Sequence, residues 1–166
     1  MRVWRERPEG TVIEDRTYPV RPASPAVNIG IIMGEVIDLK VTERVERSSD
    51  RVVSPARLTG TLRLTNTAVN RSVRLVEARL LFIDAEGQPI KLTAGRTDLP
   101  VKLSTYGREW LDPGQDTTQS LDMEFPGEAL KARLLRDIRV ELSYVPSPFR
   151  REAVSFAVSI GVGQVT

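Results

Sequence analysis

Asp84 and Glu86 fall in one turn, Asp84-Ala85-Glu86-Gly87, and Asp112 and Asp116 in a second that opens with Leu111-Asp112-Pro113-Gly114. Carboxylate oxygens are what a Ca²⁺ ion takes as ligands, but the D-x-D-x-D-G spacing that wraps one loop around the ion is missing. In turns, Asp and Glu bond their own backbone, so no metal and no other cofactor is expected. Asn70-Arg71-Ser72 has the form of a glycosylation acceptor, and it reads as a β-turn. Serine and lysine are present, as a Ser-Lys hydrolase requires, yet no strand-turn-helix elbow presents a serine. Carboxylate pairs are too common along the chain to mark a glycosidase. With neither Cys nor His in the sequence, thiol nucleophiles, Cys/His zinc sites, His-based triads and disulfides are all excluded. No residue is therefore assigned a catalytic role.

Contact chemistry remains. The loop Tyr106-Gly107-Arg108-Glu109-Trp110 carries two aromatics and a cation, and Trp4 lies in a proline-rich N-terminal stretch. Tyr106, Arg108, Trp110 and Trp4 are the candidate binding residues. Arg133, Arg136, Arg139, Arg150 and Arg151 form a basic set that Arg108 could join. The interspersed Asp137, Glu141 and Glu152 favour a solvated face with local ion pairs. Over 166 residues the chain has 24 Lys+Arg against 22 Asp+Glu, a net charge of +2 with the signs interleaved. A nucleic-acid partner is not expected from such a balance. No apolar run approaches the roughly 20 residues that span a bilayer, so no transmembrane segment is expected.

The elements that must position these residues are strands. From Leu58 to Ile90 two long strands are expected as a sheet pair, joined by a polar turn from Asn66 to Ser72. Leu58, Gly60, Leu62 and Leu64 share one face of the first, and Val76, Ala78, Leu80 and Phe82 one face of the second, the period of two that marks a half-buried strand. Before them, Glu35 to Glu46 alternates, with Ile37, Leu39, Val41 and Val45 inward and Val36 among the outward residues. After them come Ser120 to Phe125, with Leu121, Met123 and Phe125 inward, and Asp137 to Val145, with Ile138, Val140, Leu142 and Tyr144 inward. A last strand, Glu152 to Ile160, sets Val154, Phe156, Val158 and Ile160 inward and the small residues Ala153, Ser155, Ala157 and Ser159 outward. Pro126 to Arg136 is the one helical stretch. Pro55 is expected where no ladder donor is needed.

Residues 1–34 read as an extended N-terminal arm, because Pro8, Pro19, Pro22 and Pro25 deny it long helices while Trp4, Tyr18, Ile31 and Ile32 favour lying on the domain. Such an arm is expected to pair with a sheet edge, its own or a neighbouring copy's, so self-association or a protein partner is expected. Residues 35–166 form the second unit. About seven strands, turns roughly every ten residues and almost no helix predict an all-β, immunoglobulin-like antiparallel β-sandwich with one short helix, or alternatively an eight-stranded barrel.

Gly60 to Asn66, Asn70 to Ser72, Phe82-Ile83-Asp84 with Glu86-Gly87, and Leu111-Asp112-Pro113-Gly114 together resemble the pattern of bacterial envelope sandwich domains of the FxLYD type. In outline they are also similar to the water-stress domain of late-embryogenesis proteins. The match spans Leu58 to Val145 and consists of turn chemistry. What it implies is an immunoglobulin-like accessory module of secreted proteins or lipoproteins, with no shared catalytic residues; this chain lacks a lipobox cysteine. The expected function is a non-catalytic binding or structural module of a bacterial envelope or secreted assembly, periplasmic or secreted, or cytoplasmic if Met1 is the native start. The alternative is a small-ligand carrier or hydrolase with a pocket in the sandwich.

Overall fold

The computed structural model describes residues 12–103, 110–132, 134–146 and 150–165. Two antiparallel sheets face each other across one core. In the larger, β1 (Ile13–Arg21) and β2 (Ala26–Ile29) both pair with β3 (Ile32–Glu46), which pairs with β4 (Arg51–Asn66), which pairs with β7 (Asp116–Glu124). The smaller runs β6 (Leu99–Val101), β5 (Arg74–Asp84), β8 (Leu135–Val145), β9 (Arg150–Ala157). The chain returns to the larger sheet in β10 (Ser159–Ile160) and β11 (Gln164–Val165), both paired with β1. Helix α1 (Gly127–Ala132) joins β7 to β8. This is the all-β antiparallel sandwich that the alternation predicts, with one short helix.

Leu62, Leu64 and Leu121 of one sheet and Leu80, Phe82, Ile138, Val140, Leu142 and Phe156 of the other are buried together, as is Val158. Each buried aliphatic or aromatic side chain contributes about 1.5–3 kcal/mol relative to an exposed one. Phe82 and Phe125 meet edge to face, with centroids 5.1 Å apart and planes at 75°.

Several expectations are corrected. The strands of the Leu58 to Ile90 stretch are not a sheet pair: β4 and β5 lie in different sheets. Their connection carries the chain across the core, so the apolar faces of Leu62–Leu64 and Leu80–Phe82 oppose each other instead of lying side by side. In β3 the inward residue is Val36, 2% exposed, and Ile37 is only half-buried. Register explains the flip. Ile37 pairs with Thr61 and Lys40 with Thr59, so Asp38 and Leu39 both oppose Gly60, a bulge in which Asp38 takes a φ of 54° and after which odd residues face the core. A second bulge between Leu75 and Glu77 turns Val76 out to 49% exposure. The helix stops at Ala132 because Leu135 already pairs with Asp84 in β8. The last expected strand is split: the chain leaves the smaller sheet at Ala157, buries Val158 and enters the larger one at Ser159, with Ile160 half-buried.

Of the stretch read as an arm, the described part is built into the larger sheet of its own chain. Ile13 to Pro19 pair with Glu46 to Lys40 and Ala26 to Ile29 with Glu35 to Ile32, so β1 and β2 form one interrupted strand along β3. The interruption faces the Asp38 bulge. There the Leu39 and Val36 amides donate to the carbonyls of Ala23 and Pro25. Pro55 has no register partner, falling within a second irregularity between Thr42 and Arg44.

Gly60 shows why a side chain is missing beneath the bulge. A Cβ there would lie 3.1 Å from the Ile37 carbonyl oxygen and 3.4 Å from Leu39 Cα. Gly60→Val is expected to lower stability by about 1–3 kcal/mol through overpacking. Urea denaturation checks it, and a loss within about 0.5 kcal/mol, the range of an inert surface change, would show that the bulge yields freely.

Candidate functional site

Asn66, the last residue of β4, organises one end of the sandwich. It is fully buried, and its amide nitrogen donates to the carbonyls of Arg71 at 2.8 Å and Leu111 at 2.9 Å. Its side-chain oxygen accepts from the Ala68 amide at 2.9 Å. Its backbone donates to Gln115 and accepts from Gly114. One asparagine thus ties the β4–β5 connection to the turn before β7, each buried polar group finding a partner. Val73 and Leu111 exchange two backbone bonds, Ser72 Oγ donates to Asp112 Oδ1 at 2.7 Å, and the Thr67 amide and hydroxyl both donate to the Ile31 carbonyl of the β2–β3 hairpin.

On this platform stands Trp110, 37% exposed. The Arg74 guanidinium lies 5.9 Å from its ring centroid, within reach of the attraction between a cation and a ring face. Trp110, Asn70, Arg71, Ser72, Asp112 and Pro146 line an open cleft of about 730 Å³. Arg71 is exposed and makes no ion pair among the described residues. Val69, 89% exposed, projects from the same connection. The cleft can therefore offer a partner an aromatic face, an uncommitted guanidinium and the Asn70 amide.

Of the four candidate binding residues, Trp110 lies in this cleft; Tyr106, Arg108 and Trp4 lie outside the described residues. Three of the turn carboxylates, Asp84, Asp112 and Asp116, are occupied locally, while Glu86 is exposed. Asp84 Oδ1 accepts from the amides of Glu86 and Gln88 at 3.0 and 2.9 Å. Asp116 accepts from Arg63 at 2.6 Å, and that carboxylate holds the Arg63 guanidinium above its usual range. In the basic set, Arg136 pairs with Asp137 at 3.0 Å and Arg139 donates to Ser155. Arg133 and the side chains of Arg150 and Arg151 lie outside what is described. Ala153, Ser155, Ala157 and Ser159 are exposed, as their outward placement predicts.

Asn70, Arg71 and Arg74 escape notice as binding residues when the sequence alone is read. The β4–β5 connection is polar like any turn, and only its fold against Trp110 makes it a wall. The sequence does carry a signal in β3, where the inward series Leu39, Val41, Val45 skips a position held by a charged residue, Glu43.

Compared with family models, curated proteins and solved structures, the chain matches none. Fold and site define its class: an all-β sandwich domain with an open, aromatic-bearing polar cleft at one end.

Proposed function

We propose that this protein is a non-catalytic binding or structural module of a bacterial envelope or secreted assembly, acting through protein-protein contacts at the Trp110 end. The carrying observation is an exposed tryptophan with Arg74 over its ring and Arg71 lining the same cleft, on a hydrogen-bonded platform. Trp and Arg are the residue types that dominate interface energetics, and a rigid mount lowers the ordering cost of binding. The resemblance of the turn pattern to FxLYD-type domains supports the envelope setting.

The test is affinity isolation of cross-linked partners with wild type, Trp110→Ala and Arg71→Glu. A partner recovered by wild type is expected to fall at least tenfold with Trp110→Ala, since a central anchor is worth about 2 kcal/mol or more. Both side chains are exposed, so melting temperatures should stay close to wild type. Equal recovery of every partner by all three proteins would remove the cleft as the contact site.

A further inference from the structure

The charges around the Trp110 cleft are not matched like those on the outer face of the larger sheet. There Arg44 pairs with Asp15 at 2.9 Å, Arg57 with Asp122 at 2.6 Å and Arg63 with Asp116 at 2.6 Å, each guanidinium satisfied within the chain. Arg71 departs from this pattern. Its side chain is exposed and makes no hydrogen bond and no ion pair among the described residues.

A carboxylate is at hand in the same cleft, and it is withheld. Asp112 is the one acid that lines the cleft among the described residues. Its Oδ1 accepts from Ser72 Oγ at 2.7 Å, its backbone amide donates to the Gln115 side chain at 2.8 Å, and it makes no ion pair with Arg71. The cleft's own acid is thus tied to the wall by a neutral donor, and its guanidinium stays uncommitted. A fixed wall carrying an unsatisfied cation beside an exposed indole is complementary to an anion with an apolar flank.

Taking the Trp110 end as a protein-contact site, on which this rests, we infer that the cleft holds an extended peptide segment with an acidic side chain on Arg71 and an apolar flank against Trp110 and Pro146. A guanidinium meets a carboxylate through two parallel N–H donors, which fixes orientation as well as charge. Asn70, exposed next to Arg71, carries an amide that can both donate to and accept from a peptide backbone. The open shape of the cleft, about 730 Å³, admits a chain that enters and leaves. An acidic saccharide would use Arg71 equally well. Val69, 89% exposed on the same connection, and the Pro146 ring are apolar surfaces that peptide side chains match and a hydroxyl-covered sugar does not.

The full-length protein is titrated with an acetylated and amidated octapeptide of alternating proline and glutamate, with its proline-glutamine counterpart, and with trigalacturonic acid. Binding is followed by the NMR signals of the Trp110 indole N–H and the Val69 methyls. The glutamate peptide is expected to give saturable shifts of both and to bind about threefold or more tighter than the glutamine peptide, the scale of one exposed charge-assisted contact. Arg71→Gln is expected to erase that preference. Asp112→Asn keeps an acceptor for Ser72, removes the opposing charge, and is expected to tighten the glutamate peptide about twofold. The inference is overturned by no saturable response to the glutamate peptide, by equal affinity for the two peptides, by a preference that survives Arg71→Gln, or by tighter binding of trigalacturonic acid. The contact site itself fails separately, if no isolated partner depends on Trp110. A Trp110-dependent partner recovered equally by wild type and Arg71→Gln would keep the contact site and remove the acidic segment.

Discussion

Replacing Phe82 with alanine is expected to lower the free energy of unfolding by about 3–5 kcal/mol. Phe82 is fully buried on β5, an interior strand of the smaller sheet, and its ring stands edge to face on Phe125, where the chain leaves the larger sheet. Truncation would remove the apolar area, leave a cavity between the sheets, and lose the ring pair, itself worth about 0.5–1.5 kcal/mol beyond area. Urea denaturation with an unchanged slope would read the loss as stability alone. A loss under about 1 kcal/mol would place Phe82 outside the central core.

Asn66→Ala is expected to cost about 3 kcal/mol or more, by a different route. The volume lost is small. What matters is that the Arg71 carbonyl and the Ala68 amide lose these partners together while the Leu111 carbonyl keeps only its bond from the Val73 amide, and each buried group left unsatisfied costs about 1–3 kcal/mol. Asn66→Asp should rescue little, because a carboxylate can still accept from Ala68 but cannot donate to the two carbonyls. Because these bonds hold both walls of the Trp110 cleft, the Trp110 indole N–H resonance should shift in the folded fraction of either variant. An unmoved resonance together with a loss under about 1 kcal/mol, the size of one ordinary hydrogen bond, would show that the two loops hold each other without Asn66.

The strands were legible because side-chain alternation is set by backbone geometry and needs no knowledge of the partner strand. Leu62, Leu64, Leu80, Phe82, Ile138, Val140 and Leu142 could be assigned to the core for that reason. Which strands pair was not legible, since apolar faces that oppose across a core and those that lie side by side have the same period. Bulges defeated the face assignments at Ile37 and Val76, where one extra residue reverses everything beyond it. Asp38 gave only a weak signal, being a residue type that tolerates positive φ but does not require it. Buried polar residues were hidden for the opposite reason. Asn66 and Glu43 look like surface residues until tertiary contacts enclose them, and Trp110 was visible as an aromatic in a loop while its walls, Asn70 and Arg71, came from a connection about forty residues earlier.

The return of the chain to β1 has a mechanical consequence. β10 and β11 run antiparallel to β1, with Ser159–Ile160 on Arg21–Val20 and Gln164–Val165 on Thr17–Arg16. The segment entering at Ile13 and the segment leaving at Val165 therefore emerge at the same end of the pair. Tension applied between them loads the rungs one after another, as in a zipper, and not all at once as in shear. The short β11 rung would open first, at low force, while β1 remains held along its other side by the seven rungs from Ile13 to Pro19 on β3. Under load such a domain would yield its last strand as a compliant extension before the sandwich itself is strained.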